Sequence, residues 1–383
     1  MGRDTELPRY RTVSYRIIGR VSYEMPAFYF AAKEVPVNAK VYNQTMRNAF
    51  HAKGYKGQHI IFAVIDSGVN PVGWLKGKVR YSSLFPATDT NGHGTFVAGQ
   101  LIEWCPEAAV LSYNVLPNGT GKVSDTNAAL ADILKRVKAD TSHQYIVNMS
   151  LGGGGSAVSP SIVQQGKLIS QLVDENVPVC VSAGNDGKEA KLDVWPSCFH
   201  DPVCVAAIND NGAKANFSTW HNEMDVADAG VSIKGLSYTG ASGVYMSGTS
   251  MSAPNVAGKI GLIMSKYYTD NGDWPSEPAV YDTLKNNCID LHKKGYDPYT
   301  GYGFVYMDGS VGVQATYGIC AKTTGNVRIR QGASTLTTSL AVVPKGTPII
   351  ICAHNAGWHK CTAFIGGKCV VGYMSTKYVK EAK

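Results

Sequence analysis

The chain has 383 residues, enough for two or three folded units, and its 44% apolar and 17% charged residues are the balance of an ordinary globular protein. No stretch approaches the ~18 apolar residues that a membrane-spanning helix needs, and the 41 glycines, many in tight clusters, favour a fold rich in turns and close backbone approaches. The net charge of +7 is unevenly placed: residues 318–383 carry seven Lys and two Arg against the single acid Glu381, a net of +8, so the remainder is close to neutral.

Residues 1–45 show strand-like patches but no recognisable site, and their apolar pieces are interrupted by charges such as Arg16 and Arg20, so no signal peptide is read there. A cytoplasmic location at synthesis is the expectation. From Gln58 the pattern changes: residues 59–65 form a continuous apolar run ending in Asp66-Ser67-Gly68, which reads as a strand buried on both faces. Residues 145–150 and 177–182 repeat the pattern, each giving way to a glycine-containing turn. Between them, Leu130, Ile133, Leu134 and Val137 follow helical spacing behind a capping Ser124, and Val163, Ile169, Leu172 and Val173 suggest a second helix. Alternating strands and helices imply a parallel sheet with helices on both faces, an α/β domain whose site collects at the carboxyl ends of the strands. From Cys320 onward the texture is all-β, with strands read at 327–330 and 348–353 and a boundary near 316–320.

Nine cysteines cannot all pair within one chain. Cys198/Cys204 and Cys361/Cys369 are close enough to raise disulfides, but spacing does not fix connectivity, and the absence of a read export signal favours reduced thiols.

Three segments carry chemistry: Asp66-Ser67-Gly68, Asn91-Gly92-His93-Gly94-Thr95, and Ser247-Gly248-Thr249-Ser250-Met251-Ser252-Ala253-Pro254. A serine hydroxyl is a weak nucleophile at neutral pH and needs a base, and an imidazole serves if a carboxylate fixes its tautomer. Gly248 is expected to allow a close turn before Ser250, and Pro254 to sit in the first turn of the helix that follows. In the order Asp, His, Ser these segments resemble the signature blocks of the subtilase family, the subtilisin-like serine proteases of peptidase family S8. Asn148-Met149-Ser150-Leu151-Gly152, Ser182-Ala183-Gly184-Asn185 and Gly295-Tyr296-Asp297-Pro298 extend the similarity, which covers about residues 55–307.

The resemblance implies a subtilisin-like central parallel sheet and peptide-bond hydrolysis through an acyl-enzyme. Asp66, His93 and Ser250 would form the triad and Asn185 the oxyanion donor, while Ser150, Leu151, Gly152 and Gly153 would lie along a polypeptide substrate. No cofactor is required for the chemistry; a structural calcium ion of the family type is possible, although no acidic cluster has calcium-loop spacing to support it. Phe96 stands where the family often has a second histidine. Glu189 and Asp193, after the oxyanion asparagine, raise a preference for a basic side chain before the cleaved bond. The alternatives are a catalytically silent subtilase-fold scaffold and a cell-wall-binding protein.

In the tail, Asn326-Val327-Arg328-Ile329-Arg330, Lys345-Gly346-Thr347, Gly357-Trp358-His359-Lys360 and Gly372-Tyr373-Met374 resemble a bacterial SH3-like domain, a small β-barrel. Such modules hold hydrolases to peptidoglycan, and the +8 charge suits an anionic wall; a solvated basic face is the plainer reading. No nucleic-acid motif accompanies the charge, and the oligomeric state is open. The expected organisation is an extension or short propeptide at 1–45, a catalytic domain at 46–316 and the SH3-like domain at 318–383, with release from the cell as the route to the wall.

Overall fold

The computed structural model describes residues 38–191, 193–307, 319–330, 339–355, 358–365 and 368–381. The chain divides into one unit of Pro36–Ala315 and another that includes residues 316–383.

The first unit opens with α1 (Ala39–Ala52), β1 (Ile60–Asp66), β2 (Val79–Tyr81), α2 (His93–Trp104), β3 (Ala109–Asn114), α3 (Val123–Ala139) and β4 (Gln144–Met149). It continues through β5 (Gly153–Gly154), α4 (Pro160–Asp174), β6 (Val179–Ser182), β7 (Val194–Trp195), β8 (Val203–Ile208) and β9 (Val226–Ala229). The hairpin β10 (Ile233–Leu236) and β11 (Ser242–Met246) precedes α5 (Thr249–Asn271), α6 (Glu277–Asn286), β12 (Cys288–Ile289) and β13 (Phe304–Val305). Nine strands make the main sheet in the order β12-β13-β9-β8-β6-β4-β1-β3-β2, parallel throughout except at the β12–β13 edge. All seven residues of β1 are buried, as a strand covered on both faces requires. Helices α2 and α5 pack together on one face, with α5 lying across β4, β6, β8 and β9; α3 and α4 pack together against β1 and β6. This is the expected subtilisin-like α/β architecture.

Local signals explain most of the elements, with three corrections. Helix α3 starts one residue before Ser124, with Lys122 as the flanking residue, so Ser124 lies inside the first turn and does not cap it. Pro254 is the sixth residue of α5, a turn later than expected. Residues 39–45 are helical, not strand-like: Asn38 accepts from the Val41 N–H at 3.2 Å, and Ala39, Asn43, Met46 and Phe50 form one buried stripe. The expected boundary at residue 45 falls inside α1.

That stripe meets a buried charge. Lys259, in the middle of α5, is fully buried; its ammonium donates to Asp228 Oδ2 of β9 at 2.5 Å and to the Val305 carbonyl of β13 at 2.6 Å. Asn43 of α1 donates to the other oxygen of Asp228 at 2.7 Å. Burial opposes the charge on both partners, pushing Lys259 down and Asp228 up, and their attraction resists both shifts.

In the second unit, β14 (Ile319–Thr323), β15 (Val327–Arg330), β16 (Ser339–Val343), β17 (Pro348–Asn355), β18 (Trp358–Ile365), β19 (Lys368–Ser375) and β20 (Val379–Glu381) form an antiparallel sheet in the order β16-β15-β19-β18-β17-β14-β20. Alternation along the strands turns Val327, Ile329, Val343 and Met374 into a small core and leaves Arg328, Leu340 and Val342 exposed. Trp358 and Tyr373 are half-buried.

Replacing Lys259 by Ala strands Asp228 as an unpaired buried carboxylate. The expected loss is about 3–5 kcal/mol, measured by urea denaturation in a Ser250→Ala background that prevents self-digestion. The double variant Asp228→Asn/Lys259→Met recovers part of it, because no charge is then left buried.

Candidate active site

Strand order turns at β1, with β3 and β2 on one side and β4, β6, β8 and β9 on the other. The carboxyl end of β1 therefore opens into the crevice where the loops diverge. Asp66 is its last residue, and its side chain is fully buried. His93 is the first residue of α2, and its Nδ1 lies 2.8 Å from Asp66 Oδ1 and 3.0 Å from Oδ2. The Ser67 N–H donates to Oδ1 at 2.7 Å, which fixes the carboxylate from behind. An acidic partner at Nδ1 keeps a proton there and leaves Nε2 as the acceptor. The Asp66 charge raises the pKa of His93 above its ordinary 6.5, burial works against this, and Asp89 adds to it. Because the folded value is raised, the pair's contribution to stability is complete below the unfolded value and is lost as pH rises through the folded one.

Two glycines set this geometry. Gly92 has φ 97°, a left-handed conformation, and a Cβ there would meet the Tyr238 ring at 2.8 Å. At Gly94 a Cβ would lie 2.1 Å from the Gly68 carbonyl oxygen and 3.2 Å from Asp66 Oδ1.

Ser250 is the second residue of α5. Its hydroxyl donates to the Ser150 carbonyl at 3.2 Å and makes no hydrogen bond to His93. The two helices are nevertheless joined nearby, where Gln100 of α2 donates to the Met251 carbonyl at 3.2 Å. Pro254 has no N–H to offer the Ser250 carbonyl four residues earlier, and the Ser150 hydroxyl fills that place at 2.9 Å while accepting from Asn148 Nδ2 at 3.0 Å. The backbone of Ser250 is thus held by a side chain from the end of β4. Gly248, expected in a turn, is in extended backbone at φ 161°.

Asn185 follows β6 through Ala183 and Gly184. Its Oδ1 accepts from the Thr249 N–H at 2.9 Å and the Thr249 hydroxyl at 3.0 Å, which turns Nδ2 the other way with no partner among the described residues. The Ser250 N–H, in the first turn of α5, is likewise unpaired there. Two donors, one from Asn185 and one from the Ser250 backbone, are thus left open at the start of α5.

Of the expected substrate-lining residues, Ser150 is buried, Leu151 half-buried, and Gly152 and Gly153 exposed. β5 pairs antiparallel with β7, Gly153 opposite Trp195 and Gly154 opposite Val194. Glu189 and Asp193 are both exposed, and Asp193 Oδ1 accepts from the Lys191 N–H at 3.1 Å. Phe96 is fully buried and packs where a Gly235 side chain would otherwise stand. Cys204 carries a free thiol, so a bond to Cys198 is not made.

The sequence did not single out Asp89, Ser67, Thr249 or Tyr238. Ser67, Thr249 and Tyr238 act through contacts far along the chain; Asp89 bonds Asn91, Gly92 and Thr95 close by, and its place shortly before His93 is the signal that could have found it.

The profile of the subtilase family, peptidase S8, matches residues 57–303. This chain belongs to the subtilase family. It is 30% identical to subtilisin E of Bacillus subtilis over 291 residues, 71% of this chain and 69% of that one. It is equally similar to a subtilisin of Bacillus pumilus, of which it covers 96%. Among solved structures, a lanthipeptide protease superposes with a TM-score of 0.62 at 22% identity over 70% of this chain and 92% of its own. The S41 psychrophilic protease does so with a TM-score of 0.57 at 26% identity over 66% and 92%. The chain is a serine endopeptidase of this family, whose members act without a cofactor for catalysis. Among the described residues no three His, Cys, Asp or Glu side chains gather to hold a metal ion, and no helix is long and apolar enough to cross a membrane.

Gly94→Ala pushes α2 and the β1 exit apart at the Asp66–His93 contact. Peptide hydrolysis is expected to fall by about 100-fold or more, measured against a reporter peptide, with the far-ultraviolet circular dichroism of the folded chain retained.

Proposed function

We propose that Asp66, His93 and Ser250 are the catalytic triad and that the C-terminal unit holds the protease to an anionic cell wall. The observation that carries the first part is the pairing of His93 Nδ1 with the fully buried Asp66 carboxylate. With Nδ1 protonated and committed to Asp66, His93 Nε2 is the base. The Ser250 hydroxyl turns from the Ser150 carbonyl toward Nε2, gives up its proton and attacks the scissile carbonyl carbon. Asp66 stabilises the imidazolium that forms. The Ser250 N–H and Asn185 Nδ2 receive the developing oxyanion; in support, Thr249 engages Asn185 Oδ1 and leaves the amide nitrogen open among the described residues.

Collapse of the tetrahedral intermediate breaks the C–N bond, and His93 returns the proton to the departing amine. A water then repeats the sequence on the acyl-enzyme, with His93 taking its proton, and hydrolysis releases the acid and regenerates Ser250. The exposed backbone of Gly152 and Gly153 pairs with an extended polypeptide as an added strand, and Ser150 and Leu151 line its approach. Calcium enters no step.

For the C-terminal unit, an SH3-like reading is supported by its small antiparallel sheet and by five exposed cations, Lys322, Arg328, Lys345, Lys377 and Lys380. A wall polymer rich in phosphate or carboxylate groups is the ligand class such a surface suits. Action at the wall follows release of the chain from the cell that makes it.

A fluorophosphonate probe is expected to add once to the wild-type chain by intact mass and not to Ser250→Ala; no adduct on the wild type would leave a silent scaffold as the reading. Asn185→Ala is expected to lower kcat by about 10²–10³ with KM little changed. The acid limb of kcat/KM should lie above the ordinary histidine value of 6.5, the direction that the Asp66 charge imposes. Full-length Ser250→Ala should sediment with purified bacterial walls at low salt, whereas the chain ending at Ala315 should stay in solution; equal sedimentation would sink the wall-binding assignment.

A further inference from the structure

Asp89 lies in the loop between β2 and α2 with a relative exposure of 1%. Its carboxylate accepts five hydrogen bonds. Oδ1 takes the Ser67 hydroxyl at 3.0 Å and the N–H groups of Asn91 at 3.0 Å and Gly92 at 2.8 Å. Oδ2 takes the Thr95 N–H at 3.0 Å and the Thr95 hydroxyl at 2.6 Å. No cation pairs with it among the described residues, so a buried charge is held by neutral donors and helix-terminal amides alone.

Those donors share a pattern. The residue flanking the start of α2 is Gly92, which has no side chain with which to cap a helix. Asp89 reaches forward from three residues upstream and caps it instead, satisfying amides that would otherwise be orphaned at the turn carrying His93. Ser67 extends the tie in the other direction: it donates to Asp89, accepts from the Gly94 N–H at 2.9 Å, and follows Asp66 directly in the chain. The loop itself is pinned, because Asn70 bonds both the N–H and the carbonyl of Asp89 at 2.9 Å.

We propose that Asp89 is a positioning residue of the proteolytic reaction, locking the loop that carries His93 to the strand end that carries Asp66 and placing a second fixed negative charge behind the imidazole. The assignment rests on His93 acting as the base. It extends that role by making the Asp66–His93 geometry depend on a residue that touches neither the substrate nor the reacting atoms. Asp66 at the end of β1 and Asp89 in the loop before α2 are the charged groups acting on His93, and Tyr238 of the β10–β11 hairpin lies beside the neighbouring Gly92. Asp66 and Asp89 are the two carboxylates that raise the histidine. Asparagine at 89 removes the charge and keeps the size, while its NH2 replaces one of two oxygens that both accept, so the tie weakens and the histidine moves toward lower pKa; a residue uncoupled from the imidazole would leave it where it is.

The test compares Asp89→Asn with the wild type in two ways. Steady-state kinetics on a reporter peptide should show kcat lower by about ten- to a hundredfold with KM within about threefold. The titration of the His93 ring, followed by NMR in Ser250→Ala chains with and without Asp89→Asn and assigned by loss of the signal in His93→Ala, should move to lower pH. This titration needs no turnover, so a wild-type chain that fails to hydrolyse peptides overturns the proposed function while the ring titration still reports on Asp89. An Asp89→Asn chain whose kcat is within twofold of wild type, or whose His93 titrates unmoved, overturns the inference. If Asp89→Asn does not fold, Ser67→Ala decides: it removes the tie and keeps the charge, so kcat should fall about fivefold or more at unchanged KM, and an unchanged kcat overturns the inference.

Discussion

Helix α5 is buried on every side from Met251 to Ser265, and much of the unit around it answers to that constraint. A helix with no solvent-facing stripe can carry no unpaired polar group, so Lys259 must meet both a carboxylate and a carbonyl, and β9 and β13 supply them. Close approach must also be allowed: a Cβ on Gly258 would fall 2.4 Å from the Trp104 side chain of α2. The helix is thereby fixed to the sheet by Ser252 and Asn255, which donate to the carbonyls of Asp228 and Ala229, as well as by Lys259. Its first turn is then a rigid platform, buried at Thr249, Met251 and Ser252, and half-buried Ser250 stands on it. The missing N–H at Pro254 would loosen that platform at the carbonyl of Ser250 itself, and the Ser150 hydroxyl closes the gap.

The other half of the site is built from a strand end and a helix start, and electrostatics decides its character. Two buried carboxylates, Asp66 and Asp89, face one imidazole. The first touches it; the second acts through the amides of the helix that presents it. Charge of this kind costs desolvation energy that hydrogen bonds from neutral groups must offset, and Asp89 collects five of them. Such an arrangement stiffens the loop and biases the imidazole toward protonation, both of which favour a base whose proton must be received and then released within one catalytic cycle.

The features legible in the sequence were those written in contiguous residues. The apolar runs at 59–65, 145–150 and 177–182 became β1, β4 and β6 because strands buried on both faces need uninterrupted apolar residues. The pairing of Asp66 with His93 was readable because each lies in a short block at an element boundary. What could not be read is written across the chain. Helix α1 is held by the meeting of Asn43 with Asp228, 185 residues away, and its four-residue stripe is too short to outweigh the strand-like patches before it. Lys259 carries no local signal, because its partners, Asp228 and the Val305 carbonyl, lie 31 and 46 residues away in the chain. Asp89 sat in an unremarked loop because its partners at Ser67 and Thr95 become neighbours only when β1 and α2 converge. The start of α3 was misread by one residue, since a serine near a helix start looks like a cap wherever it falls.

On the proposed reading, recognition in this site falls to the backbone more than to side chains. Glycines at 152, 153 and 154 leave main-chain groups open along one edge of β5, while the other edge is taken by β7. A strand added there gains its hydrogen bonds whatever its sequence, so affinity at that edge discriminates weakly between polypeptides. Selectivity must then come from pockets or from where the enzyme is held. On the first route, Glu189 and Asp193 after Asn185 are both exposed, and Asp193 also accepts from the Lys191 N–H of its own loop. A basic unit carrying a charge of +8 on a nearly neutral enzyme bears on the second. Concentrating a broadly acting protease at an anionic surface raises the local concentration of whatever is displayed there without any new contact at the site. If the second unit holds the enzyme at such a surface, as proposed, weak discrimination by the catalytic unit is tolerable, because the place of action then does the choosing.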